Sequence, residues 1–423
     1  GQGTTPADYA GKDVRGKLVL AAAQPDAVAR LAVAQHGAAG IISYAQNQRT
    51  AWWGDDDRLV RWGHFETFAP HKSFAFMVSL AQARTFQQRL AAGETILLRA
   101  DVKAGQHPGA YSIVTATIPG TTRASEEIVF TCHLDHPRPG ANDNASGCVT
   151  ILEVARTYAK LIAEKRLPRP ARTLRFIWPP EIEGTITYLA ARPAVTERIK
   201  AAIHLDMVGG GPETKAVFHV TRGPASLPSF INDVAEAFGE FVNEQSYRHA
   251  AGETVPYPLT APEGGKEPLN ARMAEFSMGS DHQIYTDSSF SIPAIYLNDW
   301  PDRYIHTNYD TPANIDPTKL KRAGFIGAAS GYLPGRQREP MNTSTSPTLR
   351  FRPVKSEPPA WTSATSKVLN SARAVRAAEP TAKPLAMAAV VLPRLSRASV
   401  RWRTTGSWWL IWALPPALSA IGP

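Results

Sequence analysis

The chain has 423 residues, 43% of them hydrophobic and 20% charged, which gives room for two or three domains of a globular protein. Its net charge of +9 is local: from Arg336 onward stand 13 Lys/Arg against 3 Glu, leaving 33 basic and 34 acidic residues before that point. A near-neutral body excludes an extended polyanion groove there, so no nucleic-acid partner is expected.

Cys132 and Cys148 are the two cysteines, too few for a thiolate metal cluster, and they are expected as buried free thiols. The chain opens at Gly1 without Met and without a charged-then-apolar leader, as a processed form or a fragment would. Both a secreted and a cytoplasmic location stay open, and so does oligomeric state.

Residues 1–105 form the first expected unit, small and β-rich. Leu18-Val19-Leu20 is an apolar strand, Val28, Leu31 and Ala32 share a helical face, and the glycine-rich turn Gly37–Gly40 leads into Ile41-Ile42. This order resembles the protease-associated domain found beside several peptidases. The run Trp52-Trp53-Gly54-Asp55-Asp56-Asp57 reads as a solvated loop, and His36, His64, His71 and His107 as isolated structural or surface groups.

Residues 106–335 alternate strands and helices, the pattern of a mostly parallel mixed sheet in a three-layer α/β/α fold. Strands are expected at 112–118, at 128–134, through Leu174-Phe176-Trp178 up to Pro179-Pro180, at Ile203–Asp206 and at 292–297. Helices are expected at 145–163, 184–191 and 317–332. The stretch 212–275 has no clear period and is where a specificity pocket is expected. Residues 336–423 hold 11 of the 35 prolines and no Tyr, His or Asp, and read as a disordered basic tail. Its apolar end, Trp408–Leu414, is too short for a membrane span.

Polar residues gather at the ends of these elements: His133, Asp135, Asp143, Glu181, Asp206, Asp281, His282 and His306. In an open α/β sheet such ends converge on one edge, and imidazoles with carboxylates suit Zn²⁺. Gly209-Gly210-Gly211 lacks the lysine and spacing of a phosphate loop, and no G-x-S-x-G elbow is present. Ser146 reads as a small packing residue and His282 as a loop or substrate contact.

The segments His133-Leu134-Asp135, Gly140–Gly147, Glu181, His204–Gly209, Ser280-Asp281-His282 and His306-Thr307 resemble, in order, the co-catalytic zinc aminopeptidase family. That family includes bacterial leucyl aminopeptidases and, with a protease-associated domain, glutamate carboxypeptidase II. The resemblance implies an aminopeptidase that removes N-terminal residues from peptides through a metal-activated water. His133 and Asp206 would bind one metal, Asp143 would bridge two, and His306 would bind the second. Glu181 would be the general base, and Asp135 would accept the other N–H of the His133 ring.

One departure stands out. Where the family has a second glutamate, this chain has Ile182, and Glu183 is the only nearby substitute. One tight zinc site and a weak or absent second one are therefore expected. Two other readings keep the fold: a single-zinc acyltransferase like the glutaminyl cyclases, and a non-catalytic receptor-like scaffold. Deleting residues 340–423 is expected to leave melting temperature and peptidase rate largely unchanged, as a thermal melt and an activity assay would report.

Overall fold

The computed structural model describes residues 1–46, 54–66, 72–104 and 108–337, together with the backbone of three strands beyond. The first unit contains β1 (Leu18–Ala21), α1 (Pro25–Ala32), β2 (Gly40–Ser43), β3 (Ala75–Met77), α2 (Leu80–Ala91) and β4 (Val102–Lys103). Strands β1, β2 and β3 pair in parallel in that order. Val28 and Ala32 of α1 bury against Ala21 and Ile41, which follows from their spacing along one helical face. Ser79 caps α2 by accepting from the Gln82 amide, while the Gln82 side chain accepts from the Ser79 amide. Trp52, Trp53, His71 and His107 lie outside the described residues.

The second unit holds β5 (Ser112–Ile118), β6 (Arg123–Thr131), α3 (Gly147–Ala163), β7 (Arg172–Trp178), α4 (Glu183–Ala190), α5 (Pro193–Thr196) and β8 (Ile199–Asp206). After these come β9 (Phe218–Thr221), α6 (Ile231–Ala250), β10 (Arg272–Ala274), α7 (His282–Thr286), β11 (Ala294–Asp299) and α8 (Pro317–Arg336). The large sheet runs β10-β9-β11-β8-β6-β7-β5, and its centre, β11-β8-β6-β7, is all parallel. β5 and β9 pair antiparallel to their neighbours β7 and β11, so the sheet is mixed, as expected.

Three strands lie beyond residue 337: β12 (Met387–Val391), β13 (Ala398–Thr404) and β14 (Ser407–Ala413). The backbone of β12 pairs antiparallel with β5, and β13 pairs with β14 and with β4. The rest of the expected tail lies outside the described residues. Among the described residues, no helix is long and apolar enough to cross a membrane.

Period-two alternation sorts the strands into two cores, one on each face of the sheet. Ile128 and Phe130 of β6 face α3, α6 and α8, whereas Val129 faces Tyr188 and Leu189 of α4. With both faces covered, β6 reads as an unbroken apolar run, Ile128-Val129-Phe130. Phe130 is fully buried and stacks on Phe176 with ring centroids 4.9 Å apart. Both cysteines are buried and free, as expected. Phe130→Ala is expected to cost about 3–5 kcal/mol of unfolding free energy, measured by denaturant titration.

Candidate metal centre

The parallel strands β6 and β8 end side by side, and their C-terminal ends deliver His133 and Asp206 to the same edge. β6 stops at Thr131, three residues before the expected Leu134. Residues 132–140 then form an irregular turn stiffened by Pro137 and Pro139. Between this turn and α3, residues 141–146 make one distorted turn in which Asp143 and Asn144 depart from helical geometry.

That distorted turn is clamped to the end of β8. The Asn144 side-chain amide donates to the Leu205 carbonyl at 3.1 Å and its oxygen accepts from the Met207 amide at 3.2 Å. Asn142 Oδ1 accepts from the Gly209 amide at 2.9 Å. Ser146, expected only as a small residue, donates to the Asn142 carbonyl at 2.6 Å and accepts from the Val208 amide at 2.9 Å. Gly147 is required where it stands, because a Cβ there would collide with the Leu205 carbonyl and Asn144 Oδ1. These contacts hold Asp143 beside Asp206.

Around Asp143 three imidazoles converge. His133 Nε2 lies 3.1 Å from Oδ1 and 3.4 Å from Asp206 Oδ1. On the other oxygen, Oδ2, His306 Nε2 lies at 3.0 Å and His136 Nε2 at 3.3 Å. Each set, His133–Asp143–Asp206 and His136–Asp143–His306, brings its ligand atoms within 4.8 Å of one another. Buried Asp206 Oδ1 and His136 Nε2 have no hydrogen-bond partner. Orphaned acceptor atoms converging at this spacing fit a divalent metal ion of the zinc type.

The structure brings some of the expected residues together and sets others apart. His133, Asp143, Asp206 and His306 come together. Asp135 does not present its carboxylate to the ring: His133 Nδ1 lies 3.0 Å from the Asp135 backbone carbonyl and 3.7 Å from the carboxylate. The Asp135 carboxylate instead accepts the Glu181 amide at 2.6 Å and so fixes the backbone of Glu181. Glu183 heads α4 exposed to solvent and joins neither ligand set.

His136 and Asp310 carried no expectation. A histidine three residues from His133 looks wrong for an extended strand, where it would sit on the opposite face, but the strand has already ended. Asp310 anchors the centre from behind, accepting from the amides of Asn142 at 2.6 Å and Asp143 at 3.0 Å. His282 is buried, stacks on Tyr296 at 4.1 Å and faces the Ser277 carbonyl at 2.6 Å, outside both sets.

Charge follows burial. Burial alone would raise the Asp143 carboxyl, yet the three imidazoles hold it well below the usual range. Burial lowers His133, but Asp206, Asp135 and Asp143 outweigh it and raise the ring well above the ordinary value. Glu181 is pushed up to about 8, mainly by burial, with Asp206, Asp281 and Asp143 adding to the effect against His133. Asp281, whose Oδ1 accepts the Ile182 amide at 2.7 Å, is likewise pushed up by burial to about 7.

The first unit reaches this centre. Arg61 forms an antiparallel bridge with Thr307, the Trp62 amide donates to the His306 carbonyl at 2.9 Å, and Arg303 pairs with Asp56 at 3.0 Å. The Trp62 ring lies 3.8 Å from His306 and stacks on His136 at 5.1 Å, centroid to centroid.

Fold and cluster together define an α/β/α protein with a carboxylate-centred metal-ligand set at the sheet edge. The chain belongs to peptidase family M28, whose model it matches over residues 114–330. It is similar to leucine aminopeptidase 1 of Pyrenophora tritici-repentis (strain Pt-1C-BFP), 34% identical over 189 residues, 38% of this chain and 47% of that protein. Leucine aminopeptidase 1 of Leptosphaeria maculans is 34% identical over 188 residues, with the same shares. The chain thus spans about half the length of the curated relatives it matches.

Among solved structures it is similar to a peptidase M28 precursor from Shewanella amazonensis SB2B, with a TM-score of 0.48 and 19% identity over 78% of this chain and 71% of that one. The zinc aminopeptidase BSAP from Bacillus subtilis gives a TM-score of 0.47 and 17% identity over 78% and 73%.

The raised carboxyls at the centre make their own contribution to the pH dependence of the metal-free protein. Glu181 and Asp281 keep protons in the folded state that the unfolded chain has lost, so stability contributed by these groups falls as pH rises from about 4 to about 8. A metal held by His133 would require its neutral ring, so binding there would release protons and tighten as pH rises. Calorimetric titration of Zn²⁺ in buffers of different ionisation enthalpy at pH 6 and 8 is expected to show both effects.

Proposed function

We propose that the chain is a zinc-dependent aminopeptidase that releases the N-terminal residue of a peptide, with Glu181 as general base. The observation that carries the reading is the convergence of His133 and His306 on the two oxygens of buried Asp143, with Asp206 beside His133 and Glu181 close enough to feel their charges. Family membership and the likeness to leucine aminopeptidases support it.

His133 and Asp206 would hold the tight zinc, with Asp143 placed between that position and His306. Bound zinc supplies a positive charge that polarises the scissile carbonyl and makes water a stronger acid near neutral pH. Glu181, its backbone tied to Asp135, takes a proton from the attacking water and delivers it to the leaving amine. A positive charge at the cluster would also draw the Glu181 carboxyl down from its metal-free value, leaving it ionised for this role.

Residues 1–105 fit the role of a protease-associated domain, and residues 106–335 that of the catalytic domain, as in the likeness to leucyl aminopeptidases and glutamate carboxypeptidase II. The contact of Trp62 with His306 supports a part for the first unit at the site.

With a panel of aminoacyl-nitroanilides, the zinc-loaded protein is expected to release free amino acid, and Glu181→Gln to lose about 10²–10⁴-fold in rate while retaining its zinc. Loss of ammonia from a glutaminyl peptide without release of an amino acid would point to a cyclising transferase instead. A Glu181→Gln variant as fast as wild type would remove the general base from the scheme.

A further inference from the structure

We propose that His136 is the third ligand of a second zinc position, formed with Asp143 Oδ2 and His306 Nε2, so that this chain builds its second site without a carboxylate from the Glu181–Glu183 segment. The assignment rests on the zinc-peptidase reading above and adds a ligand to it.

Four observations lead there. His136 Nδ1 lies 2.5 Å from the Arg138 carbonyl, an acceptor only, so this nitrogen carries the hydrogen and the lone pair of the neutral ring sits on Nε2. His133 is arranged in the same way, its Nδ1 on the Asp135 carbonyl two residues ahead. Such a backbone contact fixes tautomer and ring plane, as metal-binding histidines require. Secondly, His136 Nε2 is buried without a hydrogen-bond partner although it faces Asp143 Oδ2 at 3.3 Å. An ordinary structural histidine would close that contact with a hydrogen bond.

Thirdly, the two oxygens of Asp143 are divided between the two ligand sets, Oδ1 facing His133 and Oδ2 facing His136 and His306. One carboxylate can therefore serve two ions. Fourthly, Trp62 holds both rings of the second set, stacked on His136 with an interplanar angle of 21° and tilted over His306 at 34°. Pro137 restricts His136 to extended backbone and limits its freedom further. Two imidazoles and one carboxylate make a three-ligand set that leaves a coordination position open, the composition of catalytic zinc sites. This softer set favours Zn²⁺ or Co²⁺ over Mg²⁺.

The test is zinc stoichiometry by equilibrium dialysis of the metal-free full-length chain, run on wild type and on His136→Ala, His306→Ala and His133→Ala. Wild type is expected to bind two equivalents, in place of the one tight site that the missing glutamate at Ile182 implies. His136→Ala and His306→Ala are each expected to keep one and to weaken the other by at least about 10–100-fold, the cost of losing even an outer partner of a metal ligand. His133→Ala is expected to weaken the other equivalent. The retained equivalent shows that each variant is folded.

Absorption of the Co²⁺ forms supplies a second measurement, in which His136→Ala is expected to lose only the bands of the second ion. Two wild-type equivalents that survive unchanged in His136→Ala would overturn the assignment, as would a single wild-type equivalent that depends on His133 and not on His136. No bound zinc in wild type would overturn the zinc-peptidase reading itself, and this ligand with it.

Discussion

A carboxylate buried among three imidazoles is the constraint on which the centre depends. Asp143 is 5% exposed and meets His133, His136 and His306 at once. A carboxylate taken out of water needs positive charge or hydrogen-bond donors around it. His133 and His306, at 3.1 and 3.0 Å, meet that need in the metal-free chain, and a cation would meet it more fully. The same groups therefore serve the folded state and offer the donor atoms that the proposed ion requires.

Much of the surrounding architecture serves to hold that one side chain. Asn142, Asn144 and Ser146 tie its turn to the loop after β8, while Asp310 accepts its amide from the opposite side. Behind Asn142 lies a second polar layer. Its side-chain amide reaches Asp302 at 2.9 Å, and Asp299 pairs with Lys319 of α8 at 2.5 Å. Lys319 gives Asp299 a buried counter-charge, whereas Asp302, with Asp299 and Asp310 near it, is pushed up by burial to about 7. Behind them the parallel strands and two apolar faces give the rigidity that keeps the ends of β6 and β8 in register.

The fold was largely legible because burial on both faces writes long apolar strands into the sequence, and Ile128-Val129-Phe130 shows it plainly. Four of the clustered side chains were legible because they stand at strand or helix ends, where α/β folds gather polar groups. What was missed turns on local backbone. Reading β6 through Leu134 missed the turn that carries His136 to Asp143 and sets the Asp135 carbonyl closer to the His133 ring than its carboxylate. In Asn142–Ser146 a helix start was read where a distorted turn lies, so Ser146 was assigned to packing while its hydroxyl bridges two loops. Helix α6 in the unperiodic 212–275 stretch went unread because its apolar residues are diluted by Glu236, Glu240 and Glu244. The contact between the two units left no trace in either segment alone, since Trp62 and His306 lie far apart in the chain.

The indole of Trp62 has a consequence for how such a protein can be assembled from parts. A grafted replacement for the segment that carries Trp62 would need more than compatible chain ends. It would have to supply an aromatic plane of the same orientation and a backbone edge for Thr307 to pair with. The two units are thus matched pieces, and exchange between homologues is restricted to sequences that preserve both halves of that fit.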